Sequence, residues 1–316
     1  MATVDILMAT YNGEKYISEQ IDSILEQTYQ DFRIIIRDDG STDKTVEIIE
    51  DYAKKYPEKI KIIHDDVICR HPTKNFFELM KYAQADYIMF SDQDDYWLPH
   101  KIQISLYYMK KTENENPGKP VLVFGELFPV DENLTNNSGY FNTRIRHTKQ
   151  YKNFSVLLMF NSISGCVMTI NRTLLENIGE YSEAINFHDH WAALIARAWG
   201  EICYLPMMFV LHRQHKKNVT AHLDNKYNVI KSLFRDVYIS LLARQEFTGQ
   251  KERYILFRER YSQYLNSENL EQLDNYLKLF DKNIFTRFKA FAKLNAITKF
   301  RFNKKLRWLI NILLYC

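Results

Sequence analysis

Three carboxylates stand within four residues of one another in the stretch FSDQDDYW, residues 90–97. They belong to Asp92, Asp94 and Asp95, and they follow directly on an apolar run. Two carboxylates about 6 Å apart repel by roughly 3 kcal/mol at an effective dielectric constant of about 20. A cation would offset this repulsion. Mg²⁺ and Mn²⁺ are cations that accept one or two carboxylates and leave the rest of their shell to phosphate oxygens.

Two further polar clusters come at the ends of predicted strands. Thr10, Tyr11 and Asn12 follow the first strand, and Asp38 and Asp39 follow the second. In open α/β sheets, ligands bind in the crevice at the carboxyl ends of the strands. We therefore expect all three clusters to converge on one edge of the sheet, although they are far apart in the sequence.

The ligand at this edge is constrained by motifs that the sequence lacks. It contains neither GxGxxG nor GxxxxGK[ST], so a glycine-rich phosphate loop is not predicted. Because carboxylates repel phosphates, the sequence predicts a divalent ion, Mn²⁺ or Mg²⁺, bound jointly by aspartates and a diphosphate. A simpler interpretation stays open: acidic segments after strands are often turns, and Asp95 could cap a helix that begins near Trp97. For Asp38 and Asp39 the turn is at least as good an interpretation.

Strand-like and helix-like patterns alternate along the first 125 residues and must position these acids. VDILMAT, FRIIIRDD, KIKIIH and DYIMFS are typical of strands, and KYISEQIDSILEQ places Ile17, Ile21, Ile24 and Leu25 on one helical face. The alternation predicts an α/β fold with a mostly parallel, doubly wound sheet and helices on both faces. From about residue 222 the pattern is helical throughout. We therefore predict an α/β domain over residues 1–220 and a helical C-terminal region over residues 221–316.

Composition favours a reduced, cytoplasmic chain. The four cysteines are scattered, without a CxxC or a zinc-like spacing. The first residues lack the basic and apolar segments of a secretory signal, and no run approaches the roughly 18 apolar residues of a membrane-spanning helix.

The basic charge is concentrated at the end of the chain. Residues 282–316 contain nine lysines and arginines and no acid, whereas the other residues contain 33 basic and 39 acidic groups. Interleaved with Phe, Leu, Ile and Trp, this pattern is typical of a helix lying in an anionic membrane interface. Packing against the body of the protein, a homo-oligomer interface and a nucleic-acid patch are the alternatives, and nucleic acid is the least favoured.

At these residues the sequence resembles family 2 glycosyltransferases with the GT-A (Rossmann-like) fold. The matching segments are ILMATYNGEKYISEQIDSILEQTYQDFRIIIRDDGSTDKT and IMFSDQDDYWLPHKI, followed by SGCVMTINRTLLENIG, HDHW and HRQHKKN. Together they span roughly residues 4–218. The SDQDD form with the late HDHW and RQH segments is most similar to bacterial rhamnosyltransferases that build cell-wall or capsular polysaccharide.

The resemblance implies roles for the first two polar clusters. Thr10, Tyr11 and Asn12 match the segment that lines the nucleotide pocket in the family. Asp39, together with Asp38, matches the acid that contacts the pyrimidine base.

The resemblance also assigns the acids of the SDQDD segment. Asp92 and Asp94 correspond to the DxD motif of the family, in which the first acid faces the ribose or the donor sugar and the second ligates the metal. Asp95 stays near the donor.

The later motifs supply the remaining site residues. Asp189 of HDHW matches the catalytic base of the family, although the commoner family sequence at this position is Glu-Asp. In HRQHKKN, His215 could reach the metal or the diphosphate, and Arg213 could meet a phosphate. This motif replaces the Q-x-x-R-W of processive relatives, which favours an enzyme that adds a single sugar.

The sequence therefore predicts an inverting, metal-dependent glycosyltransferase. The preferred donor is dTDP-L-rhamnose, with UDP-hexoses or UDP-galactofuranose as alternatives, and the acceptor is a glycan, lipid-linked in the preferred version. The protein would lie on the inner face of the cell membrane, with homo-oligomerisation left open. A sugar-phosphate nucleotidyltransferase is the rival of another class. A non-catalytic binding module is disfavoured, because it would have no use for a base at Asp189.

Overall fold

The structure, a computed structural model, describes residues 3–135, 150–215, 244–281 and 283–294. The chain divides into two compact units. The first consists of Met1–Lys149 and Ser162–Asn218, and the second of Gln150–Asn161 and Val219–Cys316. The predicted boundary near residue 220 lies outside the described residues, and so does the predicted helix that follows it.

The described part of the first unit contains one sheet of eight strands in the order β3-β2-β1-β4-β7-β6-β8-β5. The strands are β1 Val4–Thr10, β2 Phe32–Asp38, β3 Ile60–Ile62, β4 Tyr87–Ser91, β5 Tyr96–Trp97, β6 Val121–Val130, β7 Met168–Asn171 and β8 Glu201–Arg213. β1 pairs in parallel with β2 and with β4, and β2 pairs in parallel with β3. β7 is antiparallel to both β4 and β6, whereas β6 and β8 are parallel. The predicted mostly parallel sheet is thus confirmed.

Helices connect these strands, as the alternating pattern predicts. In the first unit they are α1 Ile17–Leu25, α2 Thr45–Lys55, α3 Pro72–Met80, α4 Lys101–Glu115, α6 Arg172–Asn177 and α7 His188–Trp199. Ile17, Ile21 and Ile24 of α1 are fully buried and Leu25 is partly buried, which confirms the predicted face. In β1 the consecutive residues Ile6, Leu7 and Met8 are all buried, because both faces of this central strand are covered.

The strand β8 was not predicted, and it brings the end of the first unit back to the sheet. Its sequence, EICYLPMMFVLHR, has no regular alternation, and it contains Pro206, a residue that strands accept mainly at edges and bulges. The pairing with β6 is irregular at this point, where Phe124 faces Tyr204 but Glu126 already faces Met208. Because of this interruption, the sequence lacks the alternation of apolar and polar residues by which a strand is predicted.

The described part of the second unit is helical, as predicted for the C-terminal region. Its helices are α5 Phe154–Met159, α8 Arg244–Tyr261, α9 Ser267–Leu277 and α10 Ile284–Lys293. The Tyr254 hydroxyl donates a hydrogen bond to the Leu158 carbonyl, and the Tyr254 ring meets that of Tyr276 with 4.7 Å between centroids. The short helix α5 therefore packs with α8, although it precedes the last strands of the first unit. Among the described helices, none has the length and apolar character needed to cross a membrane.

Gly200 offers a test of the junction between α7 and β8. A β-carbon there would lie 2.0 Å from the Pro120 carbonyl oxygen, and Pro120 is held in place because that oxygen accepts the Glu201 amide. We expect Gly200→Ala to lower the free energy of unfolding by about 3 kcal/mol, at the upper end of the usual cost of overpacking.

The matched control is Gly118→Ala, at a position with φ +71° and open space around it. It should cost only the strain of the left-handed conformation, about 1–2 kcal/mol. Denaturant titration of both variants measures the difference. Equal losses would mean that the contact with Pro120 does not constrain the junction.

Candidate functional site

The acidic loop, residues 92–95, leaves the carboxyl end of β4 in the middle of the sheet. Asp92 and Asp94 are partly buried, and Asp95 is fully buried. Burial and the neighbouring carboxylates of Asp95 and Asp94 raise the pKa of Asp92 to about 8. The repulsion expected from the sequence is therefore present in the folded protein, and a bound cation would relieve it.

Gln93 fastens the acidic loop to the first loop, residues 10–13. Its Oε1 accepts the Tyr11 amide at 2.9 Å, and its Nε2 donates to the Tyr11 carbonyl at 2.9 Å. Gly13 leaves room for this side chain, since a β-carbon there would lie 2.4 Å from Gln93 Oε1. The polar clusters after β1 and β4 thus meet, as predicted.

The other residues of the first loop contact the turn that follows β2. Thr10 Oγ1 donates to Asp38 Oδ2 at 2.8 Å, and Asp38 Oδ1 accepts the amides of Gly40 and Ser41. The Asp38 carboxylate therefore stabilises the turn. Asn12, with φ 49°, accepts the Thr42 amide at 2.8 Å.

Asp39 lies in the same turn but is held differently. Its side chain is buried, and Oδ1 accepts the Cys69 amide at 2.5 Å. The Asp39 amide in turn donates to the Thr10 carbonyl at 2.9 Å, so the turn lies beside the first loop. Tyr11 stays more than half exposed.

The end of β8 places three basic side chains against the acidic loop. His215 Nε2 lies 2.8 Å from Asp94 Oδ2, with the Tyr16 ring stacked on the imidazole at 5.0 Å. His212 Nδ1 lies 2.8 Å from Asp95 Oδ1. Burial opposes protonation of His212, but the charges of the aspartates outweigh it and raise the pKa of His212 to about 9. His212 is therefore an imidazolium at neutral pH and balances Asp95.

Arg213 holds the acidic loop by its backbone. The buried guanidinium donates from Nε to the Asp94 carbonyl at 2.9 Å, and also to the Glu132 carbonyl and the Glu19 carboxylate. It lies over the Tyr16 ring at 4.6 Å. These contacts give Arg213 a structural role, and its predicted contact with a phosphate stays a prediction.

Among the described residues, two sets of side chains offer metal ligands, and only the second has all its ligand atoms within 4.8 Å of one another. Asp92, Asp94 and His215 supply carboxylate oxygens of the kind that Mg²⁺ and Mn²⁺ prefer, together with one imidazole. Asp95, Cys166 and His212 form the second set, with ligand atoms within 4.8 Å of one another. Burial and the adjacent aspartates raise the pKa of the Cys166 thiol well above its usual value. A cysteine sulfur is a soft ligand that suits zinc better than Mg²⁺ or Mn²⁺, so the oxygen-rich first set fits these two ions better.

Asp189 lies in the first turn of α7, and its charge is among those that raise the pKa of Asp92. Its Oδ2 accepts the Gly165 amide at 3.0 Å. A β-carbon on Gly165 would lie 2.7 Å from His188 Nε2, so the small residue permits this approach. Asp189 is thus close enough to the acidic loop for its charge to affect the ionisation of Asp92.

His188, beside Asp189 in the chain, is partly buried, and its Nε2 is shielded from solvent. Its ring packs against Phe76 and Phe90, with centroids 4.1 and 4.9 Å away. Burial lowers the pKa of His188 to about 3, so the imidazole is neutral. Trp191, on the same helix, is fully buried.

Several residues that contribute to the site were not predicted from the sequence. They include Gln93, Tyr16, Cys166 and His212. His212 occurs within the HRQHKKN motif, which was the one available signal; the others depend on contacts between distant segments.

Comparisons with known proteins agree with this architecture. Residues 5–179, more than half of the chain, match the family model described as "Glycosyl transferase family 2". The dTDP-rhamnosyl transferase RfbG of Shigella flexneri is 46% identical over 99 residues, which are 30% of this chain and only 34% of RfbG. An uncharacterized glycosyltransferase of Rickettsia typhi is 30% identical over 246 residues, 77% of this chain and 73% of that protein.

Solved structures share the fold at low sequence identity. TarS 1-349 of S. aureus, in complex with UDP-GlcNAc, has a TM-score of 0.56 and 18% identity, covering 98% of this chain and 89% of TarS 1-349. The mannosyltransferase PcManGT of Pyrobaculum calidifontis, in complex with GDP-Man and Mn²⁺, has a TM-score of 0.55 and 15% identity, covering 99% of this chain and 86% of PcManGT.

The link between the two loops predicts the behaviour of Gln93 variants. Gln93→Ala removes both hydrogen bonds to Tyr11, each worth about 1 kcal/mol net. We expect the Tyr11 amide to exchange with deuterium about fivefold to thirtyfold faster, and the free energy of unfolding to fall by about 1–2 kcal/mol.

Gln93→Glu is the matched variant, because it keeps an acceptor for the Tyr11 amide while losing the donor to the carbonyl. Its Tyr11 amide should exchange more slowly than that of Gln93→Ala. Hydrogen exchange resolved to peptides that contain residue 11 measures both. Unchanged exchange in Gln93→Ala would show that the two loops are held together by other contacts.

Proposed function

The chain belongs to glycosyl transferase family 2, and from this premise we propose that it is an inverting, metal-dependent glycosyltransferase that moves a sugar from a nucleotide donor to a glycan. The observation that carries the proposal is the arrangement at the sheet edge. The Asp94–His215 pair and the partly buried Asp92 lie in one electrostatic environment with Asp189. The acids that we propose as metal ligands thus lie near a separate acid that can act as a base.

In this proposal the nucleotide occupies the crevice between the first two strand ends. Thr10, Tyr11 and Asn12 line the pocket of the nucleoside. Asp39 contacts the pyrimidine base, and Asp38 supports it through the turn. The exposed ring of Tyr11 and the fixed position of Asp39 support this assignment.

Asp94, Asp92 and His215 would hold Mn²⁺ or Mg²⁺, with Asp95 behind them near the donor. When bound, the ion neutralises the negative charge that develops on the departing nucleoside diphosphate. The protein supplies the orientation: Arg213 fixes the Asp94 carbonyl, and the stacked ring of Tyr16 fixes His215. The complex of PcManGT with Mn²⁺ supports a metal in this fold.

Asp189 would accept the proton of the acceptor hydroxyl as its oxygen attacks the anomeric carbon. The Gly165 amide orients Oδ2 of this carboxylate, so the base is held in place before the acceptor arrives. A single displacement from the face opposite the leaving group inverts the anomeric configuration.

We propose dTDP-L-rhamnose as the donor, because the similarity to RfbG, although confined to a third of each chain, covers a dTDP-rhamnosyl transferase. A UDP-hexose or UDP-galactofuranose is the alternative, and the complex of TarS with UDP-GlcNAc favours the uridine nucleotide. The acceptor would be a lipid-linked glycan of bacterial cell-wall or capsular polysaccharide. The protein would then work at the cytoplasmic face of the cell membrane.

Two variants test the division of roles between the acids. Asp94→Ala and Asp189→Ala should each reduce transfer by at least about a thousandfold, because one removes the metal ligand and the other the base. Only Asp94→Ala should weaken donor binding in the presence of Mn²⁺, as measured by titration calorimetry. Equal donor affinity with and without Mn²⁺ in the intact protein would overturn the metal assignment. Release of pyrophosphate, rather than nucleoside diphosphate, would identify a nucleotidyltransferase instead.

A donor screen tests the sugar nucleotide. With Mn²⁺ present, dTDP-L-rhamnose should raise the melting temperature more than UDP-glucose, UDP-galactofuranose or GDP-mannose at equal concentration, because tighter ligands stabilise the folded state more. A larger shift with a UDP-sugar would replace the rhamnose proposal and leave the glycosyltransferase proposal intact.

A further inference from the structure

The helix α10 of the second unit presents two aromatic side chains to solvent. Phe285 is 74% exposed and Phe288 is 37% exposed, and Phe285 is the most exposed large apolar residue in the described part of the chain. The helix is well formed at this end, since Asn283 caps it by accepting the Phe285 amide at 2.9 Å. The two rings are therefore held at a defined position on an ordered helix.

The opposite side of α10 is already packed. Arg287, Ala290, Phe291 and Leu294 are buried. At 3.6 residues per turn, Phe285 and Phe288 lie together on the other side. One side of the helix thus packs in the core, and the exposed rings form a second apolar surface that the described part of this unit leaves uncovered.

Cations accompany the two rings. Lys289 and Lys293 are both exposed on α10, and Lys293 forms an exposed ion pair with Glu271 at 3.8 Å. Residues 282–316 carry nine basic groups and no acid. Of these, residues 295–316 lie outside the described part of the chain. An exposed aromatic pair beside exposed lysines is complementary to a membrane interface, where negatively charged headgroups lie above apolar acyl chains.

We propose that the exposed face of α10, consisting of Phe285, Phe288, Lys289 and Lys293, docks on the surface of an anionic phospholipid bilayer. The two rings enter the boundary between headgroups and acyl chains, and the lysines contact the phosphates. Charge complementarity selects this partner. Nucleic acid would satisfy the cations but would leave the aromatic pair without an apolar partner. A second copy of the chain would bring two strongly basic segments together, and these would repel each other.

Vesicle co-sedimentation of the full chain, without donor or acceptor, tests the proposal independently of any enzymatic activity. We expect binding to vesicles of mixed phosphatidylcholine and phosphatidylglycerol, and about tenfold weaker binding to pure phosphatidylcholine. Binding to the anionic vesicles should also decrease as salt is added, because screening weakens the lysine contribution. Equal binding to both compositions, or to neither, would overturn the proposal.

Variants of the surface complete the test. The double variant Phe285→Ser and Phe288→Ser should weaken binding to anionic vesicles about tenfold. The matched control is Tyr107→Ser, which removes an exposed aromatic (66%) from α4 of the first unit and should change nothing. Lys289→Glu, a change at an exposed site, provides a second variant should the double variant unfold, and it should weaken binding as well. Deletion of residues 283–316 should abolish binding.

Two other outcomes would also reject the proposal. One is a concentration-dependent dimer that the double variant abolishes while vesicle binding is unaffected, which would assign the surface to a second copy of the chain. The other is binding of duplex DNA by both the intact protein and the double variant, without binding of either protein to vesicles. Sedimentation velocity and a fluorescence anisotropy titration measure these two alternatives.

Discussion

Three aspartates lie in one short loop in spite of their mutual repulsion. Contacts on two sides of the loop hold it in place. The imidazolium of His212 balances Asp95 inside the protein, and Arg213 binds the backbone of Asp94. Gln93 ties the other side of the loop to the backbone of Tyr11. Asp95 is paired with His212 and Asp94 with His215, whereas Asp92 has no ion pair among the described residues. Burial and the carboxylates of Asp95 and Asp94 raise the pKa of Asp92, and a bound cation would relieve this repulsion.

Some strands of this fold could be predicted from the sequence, and one that is essential to the site could not. The first four strands were predicted, because each is short, continuous and bounded by polar residues at the sheet edge. β8 was missed because its irregular pairing with β6 near Pro206 removes the period of two on which strand prediction depends. Yet β8 carries His212 and Arg213 to the acidic loop. The sequence thus predicted the strand ends that provide acids, and missed the strand that supplies their counter-charges.

The site residues divide in the same way. Thr10, Asp39 and Asp94 could be predicted because residues at the carboxyl ends of parallel strands meet whatever their distance in sequence. The contributions of Gln93 and Gly165 could not, since each depends on one contact between segments that only the packed structure brings together. Asp38 lies between these cases. Its position was predicted, and its carboxylate stabilises the turn through two backbone amides, the alternative that the sequence left open.

The surroundings of Asp189 show why position matters more than basicity for the proposed base. An aspartate is ionised at neutral pH without assistance, so a raised pKa is not required for it to accept a proton. A protonated neighbour would compete with the substrate for that carboxylate. His188 adjoins Asp189 in the chain, and its burial against Phe76 and Phe90 keeps its pKa near 3 and its ring neutral. The apolar contacts of His188 therefore keep a second positive charge from forming next to Asp189, while the Gly165 amide fixes the direction of the carboxylate.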